Sequence, residues 1–434
     1  MCLHDNTLAA AMIELGEDVL LTPTYTPLRT DEANVSKQPL MMYGGINVYL
    51  QQKSAIFRHT PWFLDRLLDS PTLLNWVSRF SSSVQAEKLG PLTVSMLEGE
   101  HGKQKKELTK LIEWLKVEKP DIVHLSNAML VGMAGPIRRA LRVPVFCSLS
   151  GEDVFLELLV PPFYEQARKL LRDQAGDVDA YTSLNRYYAD FMIDYMNIDP
   201  ARVHVIPHGL KMQGHAMRPP HRAGDPVTIG YFARISPHKG LHLLVEAFRI
   251  LNEKPDLPPL HLRAAGYLNA ADRPYLEKIR EQLVVWGLAD KFEYAGEPDR
   301  SGKIKLLQSF DLMSVPAVYR ESKGLSIIEA LANGVPVVQP AHGSYPELVE
   351  DTGGGVLFEP ENVADLALKL EHMIRAPQLR EELGKRAHAA VHERYTDRRM
   401  AESTVALYRR QIDIHARRTS ETQGPVITSN RTIS

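Results

Sequence analysis

Glu321 and Glu329 stand eight positions apart and bracket Gly324 and Leu325 in the segment RESKGLSIIEALANGVPVV, residues 320–338. The apolar run DLMSVP (311–316) just upstream reads as a buried strand. Glu321 therefore falls at a strand's carboxyl end, where open α/β sheets hold ligands. Gly324 and Leu325 open the next helix. Its first amides lack intrahelical partners, and its dipole favours an anion there. Glu329 lies further along the same helix, within reach of a group attached to a bound phosphate. The pattern suits a ligand with a diphosphate in its middle and hydroxyls at both ends.

A second segment, YFARISPHKGLHLLVEAF (231–248), supplies cations. Arg234 leaves the end of a strand, and Lys239 precedes the next helix. Both are expected on the same carboxyl-end rim. Arg offers a planar fork of donors for phosphate oxygens, and Lys a mobile point charge. Together they can neutralise a pyrophosphate as it becomes a leaving group. Taken singly, each residue is an ordinary surface charge. Cations after one strand of a unit and carboxylates after a later one, each at a strand end, point to a site.

The E-x7-E of Glu321 and Glu329, with the upstream R-x4-K of Arg234 and Lys239, resembles glycosyltransferase family four, the retaining group 1 glycosyltransferases of GT-B fold. The likeness extends from about Val203 to Tyr408 and includes IPHGL (206–210), ANGVPVV (332–338) and Pro346–Leu348. The resemblance implies transfer of a sugar from a nucleoside-diphosphate donor to an acceptor, with retained anomeric configuration and without a metal or other cofactor. It casts Glu321, Arg234 and Lys239 as catalytic. Arg234, Lys239, Gly324, Leu325 and Glu329 become donor-binding, with Glu329 on the ribose. PDIVHLSN (120–127) and VPVFCSLSGED (143–153) resemble the family's acceptor-side strands more loosely. Ser150 stands where many members carry a donor-sugar-contacting His.

These residues need strands and helices to position them. Asp5 or Asn6 can cap a helix through Leu8–Leu15 stopped by Gly16, and DVLLTP (18–23) reads as a buried strand. From about residue 103, helices alternate with the strands DIVHL, VPVFCSL, DAYTS and VHVI. After Pro207 the alternation begins afresh with VTIGYFA, LHLRAAG, KFEYA, DLMSVP and VPVVQP. Such alternation implies parallel sheets covered on both faces. The expected fold is α/β, two doubly wound Rossmann-like domains facing a central cleft. Residues 1–206 form the acceptor side, its opening strand and glycine-rich loop missing from the pattern. Residues 207–396 form the donor side, 397–417 a helix returning to the first domain, and 418–434 a disordered tail.

The chain has 434 residues, 44% hydrophobic and 24% charged, with a formal net charge of −2. Its cations are dispersed, which argues against nucleic acid as a partner. Cys2 and Cys147 suggest no disulfide framework, so a reducing cytoplasm is expected, and peripheral contact with a membrane is compatible with the sequence. Asp177 and Asp179 form a D-x-D, but at the start of a buried strand they are not expected to bind metal. His204 and His208 lie in a strand-and-hinge stretch, where a four-residue spacing does not bring them together as on a helix. Gly44 and Gly45 suit a binding loop or a plain turn. Trp62, Phe63, Leu67, Leu68 and Trp76 suit a core helix, an acceptor groove or a membrane contact. A nucleotide-sugar epimerase and a catalytically impaired nucleotide-sugar-binding protein are the rival readings.

Overall fold

Ten apolar segments pair into two all-parallel sheets in a computed structural model, which describes residues 2–24, 32–36, 89–222 and 224–422. The first sheet has the order β1 (Val123–Leu125), β2 (Val145–Leu149), β3 (Ala180–Ser183), β4 (Val203–Val205). Along β2 the side chains alternate between its two faces. Val145, Cys147 and Leu149 pack with Leu97, Leu111, Ile137 and Tyr181, under the helices α2 (Gly90–Leu97), α3 (Lys105–Glu118), α4 (Ala134–Leu141), α5 (Phe163–Gln174) and α6 (Arg186–Met196). Phe146, on the opposite face, packs with Ala180 against α1 (Cys2–Glu14) and the terminal helix, through Leu8, Met12, Met400 and Ala401.

The second sheet is built of β5 (Val227–Phe232), β6 (Leu260–Ala265), β7 (Phe292–Tyr294), β8 (Leu312–Met313), β9 (Val337–Pro340) and β10 (Gly355–Phe358), in the order β10-β9-β8-β5-β6-β7. Its crossovers are α7 (Leu241–Asn252), α8 (Arg273–Val285), α9 (Arg300–Gln308), α10 (Leu325–Ala332) and α11 (Tyr345–Thr352). α12 (Val363–Arg375) and α13 (Pro377–Arg394) follow, and α14 (Asp397–Thr422) closes the described chain. The strand order reverses between β5 and β8, so the crevice beyond their carboxyl ends is the ligand position of a doubly wound sheet.

Four expectations are corrected. α1 begins at Cys2, so Asp5 and Asn6 lie inside it rather than capping it. Asn6 finds tertiary partners instead, donating to the Ala33 carbonyl at 3.0 Å and accepting from the Val35 amide at 3.0 Å. Residues 18–23 form no ladder among the described residues, and Leu20 is exposed, so this run is not a strand there. The short segment GVLF, passed over in the sequence, is β10, paired with β9 from Gly355 to Phe358. α14 runs to Thr422, beyond the expected end at 417, because its long polar stretch continues the helix. The remainder of the expected tail, Gly44, Gly45 and the Trp62–Trp76 segment lie outside the described residues.

Candidate functional site

Lys239 reaches the site because two loops close on each other. β5 ends at Phe232, and the chain turns through Pro237–Lys239 into Gly240, whose φ is +73°. A Cβ at Gly240 would stand 1.8 Å from the Pro316 carbonyl oxygen, so only glycine permits this approach. The Val318 amide donates to the His238 carbonyl at 3.0 Å, which ties the loop after β5 to the loop after β8.

The Lys239 ammonium then pairs with the Glu321 carboxylate and donates to the Tyr319 hydroxyl at 2.6 Å. Tyr319 donates in turn to Glu321 Oε2 at 2.8 Å, and the Lys323 amide donates to Oε1 at 3.2 Å. Burial by itself would raise the Glu321 pKa. The Lys239 charge and these three donors outweigh it and hold the carboxyl down at about 2. Burial, followed by the adjacent Glu321 charge, pushes the Tyr319 phenol up, so it remains a donor. The Ser344 amide fixes the Glu321 carbonyl at 2.8 Å. Arg234 stands exposed at the end of the same strand, without an ion pair among the described residues.

Directly after Lys323, Gly324 leads into α10 at φ +65° with no side-chain cap. Its first amides are thus available to an anion. Glu329, on the same helix, is buried and does not join the Lys239–Tyr319–Glu321 cluster. Its Oε1 accepts from the Lys303 ammonium of α9 at 2.6 Å, with side-chain exposures of 7% for Lys303 and 5% for Glu329.

The first sheet presents its carboxyl ends to this array. After β2, Glu152 accepts from the Ser150 amide at 2.8 Å and its hydroxyl at 3.1 Å, and from the Tyr188 hydroxyl at 3.1 Å. Ser150 is thereby tethered beside Gly151, where an added Cβ would lie 2.6 Å from Ser322 Oγ. Across the cleft, Asn185 donates to the Ser322 carbonyl at 2.6 Å. Glu347 accepts from the Arg186 and Tyr187 amides at 2.9 and 3.0 Å, the first two amides of α6, while the Asn185 side chain caps the third. A small cavity at the ends of β1, β2 and β3 is lined by His4, Asp5, Ser150, Thr182 and Lys323. His208 lies buried beside it, its ring 5.1 Å from that of His4, and burial drives its pKa down.

Metal chemistry finds no such arrangement: among the described residues no group of three or more His, Cys, Asp and Glu side chains is placed to hold a metal ion. Asp179 accepts from the Val145 amide at 2.9 Å, a structural use of the D-x-D. His204 sits on β4 and His208 in the following loop. No described helix is long and apolar enough to cross a membrane.

Residues 215–390 match the family profile described as glycosyl transferases group 1, and residues 87–213 match that of glycosyltransferase family 4. The chain belongs to the group 1 glycosyltransferases. Among curated relatives, the D-inositol 3-phosphate glycosyltransferase of Actinosynnema mirum is 29% identical over 52% of this chain and 56% of its own length. That of Stackebrandtia nassauensis is 30% identical over 54% of each. The chain thus spans about half the length of the curated relatives it matches. Among solved structures, HepE of Anabaena, determined with UDP, has a TM-score of 0.59 at 19% identity, covering 70% of this chain and 81% of that one. Sucrose-phosphate synthase of Thermosynechococcus elongatus also has a TM-score of 0.59 at 19% identity, covering 72% and 80%. These are GT-B enzymes, and this glycosyltransferase-family chain has the same fold.

Within that fold the structure joins Lys239 to Glu321, aligns Gly324 and Leu325 beside them, and keeps Arg234 on the rim and Glu329 one layer deeper. Sequence reasoning missed Tyr319, Lys303, Asn185 and Glu347. Tyr319 lay within view, two residues before Glu321. The partners of the other three are 26 to 161 residues away; Glu347 falls within the Pro346–Leu348 motif but with no role attached, and no local pattern marks Lys303 or Asn185.

Proposed function

We propose that this chain is a retaining glycosyltransferase that moves a hexose from a nucleoside-diphosphate sugar to a hydroxyl-bearing acceptor. The observation that carries the reading is the buried Lys239–Tyr319–Glu321 cluster immediately before the uncapped start of α10. An ionised carboxylate at a strand end can accept hydrogen bonds from sugar hydroxyls. The amides of α10, with Lys239 and Arg234, can take a diphosphate and stabilise it as it leaves. Glu329 is assigned to the ribose, and the cavity bordered by Ser150 and Lys323 to the sugar and acceptor side. HepE was solved with UDP, and separately with UDP-glucose, which supports a uridine nucleotide as the first donor to try. No metal is assigned a role. The reading is of a cytoplasmic enzyme, with peripheral contact at a membrane still open to it.

The test is to incubate the full chain with UDP-glucose and other UDP- and GDP-hexoses, with and without a panel of glycan, polyol and polyol-phosphate acceptors. The polyol phosphates are suggested by the inositol-phosphate relatives. Release of UDP or GDP with formation of an α-linked product from an α-linked donor is expected. A β-linked product would remove the retaining assignment. Epimerised free donor would favour an epimerase, and donor binding without transfer or hydrolysis a binding protein.

A further inference from the structure

Lys303 is the residue that the reading above leaves unexplained. It lies on the first turn of α9, whose start is fixed by Asp299, which accepts from the Gly302 amide at 2.7 Å. Arg300, one turn earlier on the same face, donates to the Lys211 and Gln213 carbonyls at 2.7 and 3.1 Å. The base of the Lys303 side chain is therefore rigid. Its ammonium is buried against Glu329, while the Glu329 carbonyl accepts from Asn333, whose amide also meets His215. Burying a lysine and a glutamate together is seldom a route to stability, since both lose their hydration and an apolar pair of similar size would serve as well. What the pair does supply is a carboxylate fixed in orientation and in charge.

We propose that Lys303 is a positioning residue of the donor pocket: it holds Glu329 as an oriented, ionised acceptor for the vicinal hydroxyls of the donor ribose. The proposal rests on the assignment of Glu329 to the ribose. An ionised carboxylate can accept from both hydroxyls of the diol, whereas a neutral acid must use one oxygen as a donor. Around the His215 end of this network stand Arg300, Lys303 and His392, and Arg300 pairs with Glu32 at 3.5 Å.

The experiment is titration of the full chain with UDP, GDP and 2′-deoxy-UDP, using wild type, K303M, K303R, E329Q and K303M/E329Q. The double variant replaces the ion pair with neutral groups of similar size, so it keeps the measurement open if K303M folds poorly. Expected are a roughly tenfold to hundredfold loss of UDP affinity in K303M, partial recovery in K303R, and a double variant no weaker than E329Q. The preference of wild type for UDP over 2′-deoxy-UDP should shrink in K303M. Losses that multiply in the double variant, or a folded K303M that binds UDP and keeps that preference like wild type, would overturn the role of Lys303 alone. Failure of wild type to bind either UDP or GDP would overturn the donor reading itself and the role of Lys303 with it.

Discussion

Replacing Lys239 by methionine tests the central cluster most directly. In the folded chain the Glu321 carboxyl is held at about 2, against an ordinary value of 4.5. That difference corresponds to ~3 kcal/mol in favour of the ionised form. Its sign follows from proton linkage. Between these two values the unfolded chain binds the extra proton, so the stabilisation is whole above the ordinary carboxyl value. It is lost as pH falls through 4.5 toward 2. Without the ammonium, burial acts on Glu321 against only Tyr319 and one amide, and the carboxyl rises instead. Breaking a buried pair in this way costs ~3–5 kcal/mol. At pH 7 the variant should therefore be ~3–5 kcal/mol less stable, and the gap should narrow by about 1 kcal/mol or more by pH 4. Urea unfolding by tryptophan fluorescence can follow this, with the donor-side transition identified by its shift on adding UDP. K239M/E321Q, a neutral pair, should recover stability without recovering UDP affinity. A gap under about 1 kcal/mol at pH 7, or one unchanged down to pH 4, would refute the reasoning.

Other consequences can be measured separately. Gly324→Ala places a side chain at φ +65° with its Cβ 2.2 Å from Leu348 Cδ1. It should cost roughly 1–2 kcal/mol of stability and weaken UDP binding, and an unaltered UDP titration would count against α10 as the phosphate site. Glu347→Gln removes the charge bound to the start of α6, so the interdomain contact should loosen. A rise in acceptor KM with little change in donor affinity is expected, and kinetics identical to wild type would contradict it. Burial holds His124 and His215 each at about 4 rather than 6.5. The unfolded chain protonates them first, so stability should fall as pH drops from 6.5 toward 4, by up to ~3 kcal/mol for each. His124→Gln should flatten that slope, and an unaltered pH dependence would show the histidine to be uninvolved. Transfer activity should survive EDTA, and a loss restored by Mg²⁺ or Mn²⁺ would assign a metal role that the proposed site omits.

The sequence marked the site's ingredients through local rules. A strand end followed by Gly324 and an apolar helix can be read within a dozen residues, as can the alternation that yields two parallel sheets. The same rules misplaced residues 18–23, because an apolar run is a strand only when a neighbour completes its hydrogen bonds. They passed over β10, whose four residues carry too little pattern to stand out.

Local sequence carries the type and order of the elements and the identity of the charged groups at their ends. Periodicity and end chemistry are properties of neighbours along the chain. Which charge meets which is settled by packing between distant segments. It gave Lys239 to Glu321 rather than leaving it free, set Lys303 against Glu329, and brought Glu347 to the start of α6. Those pairings depend on how helices and loops from distant parts of the chain pack, and burial then turns the two lysine–glutamate pairs from solvated charges into fixed ones, while the Glu347 contact stays partly exposed.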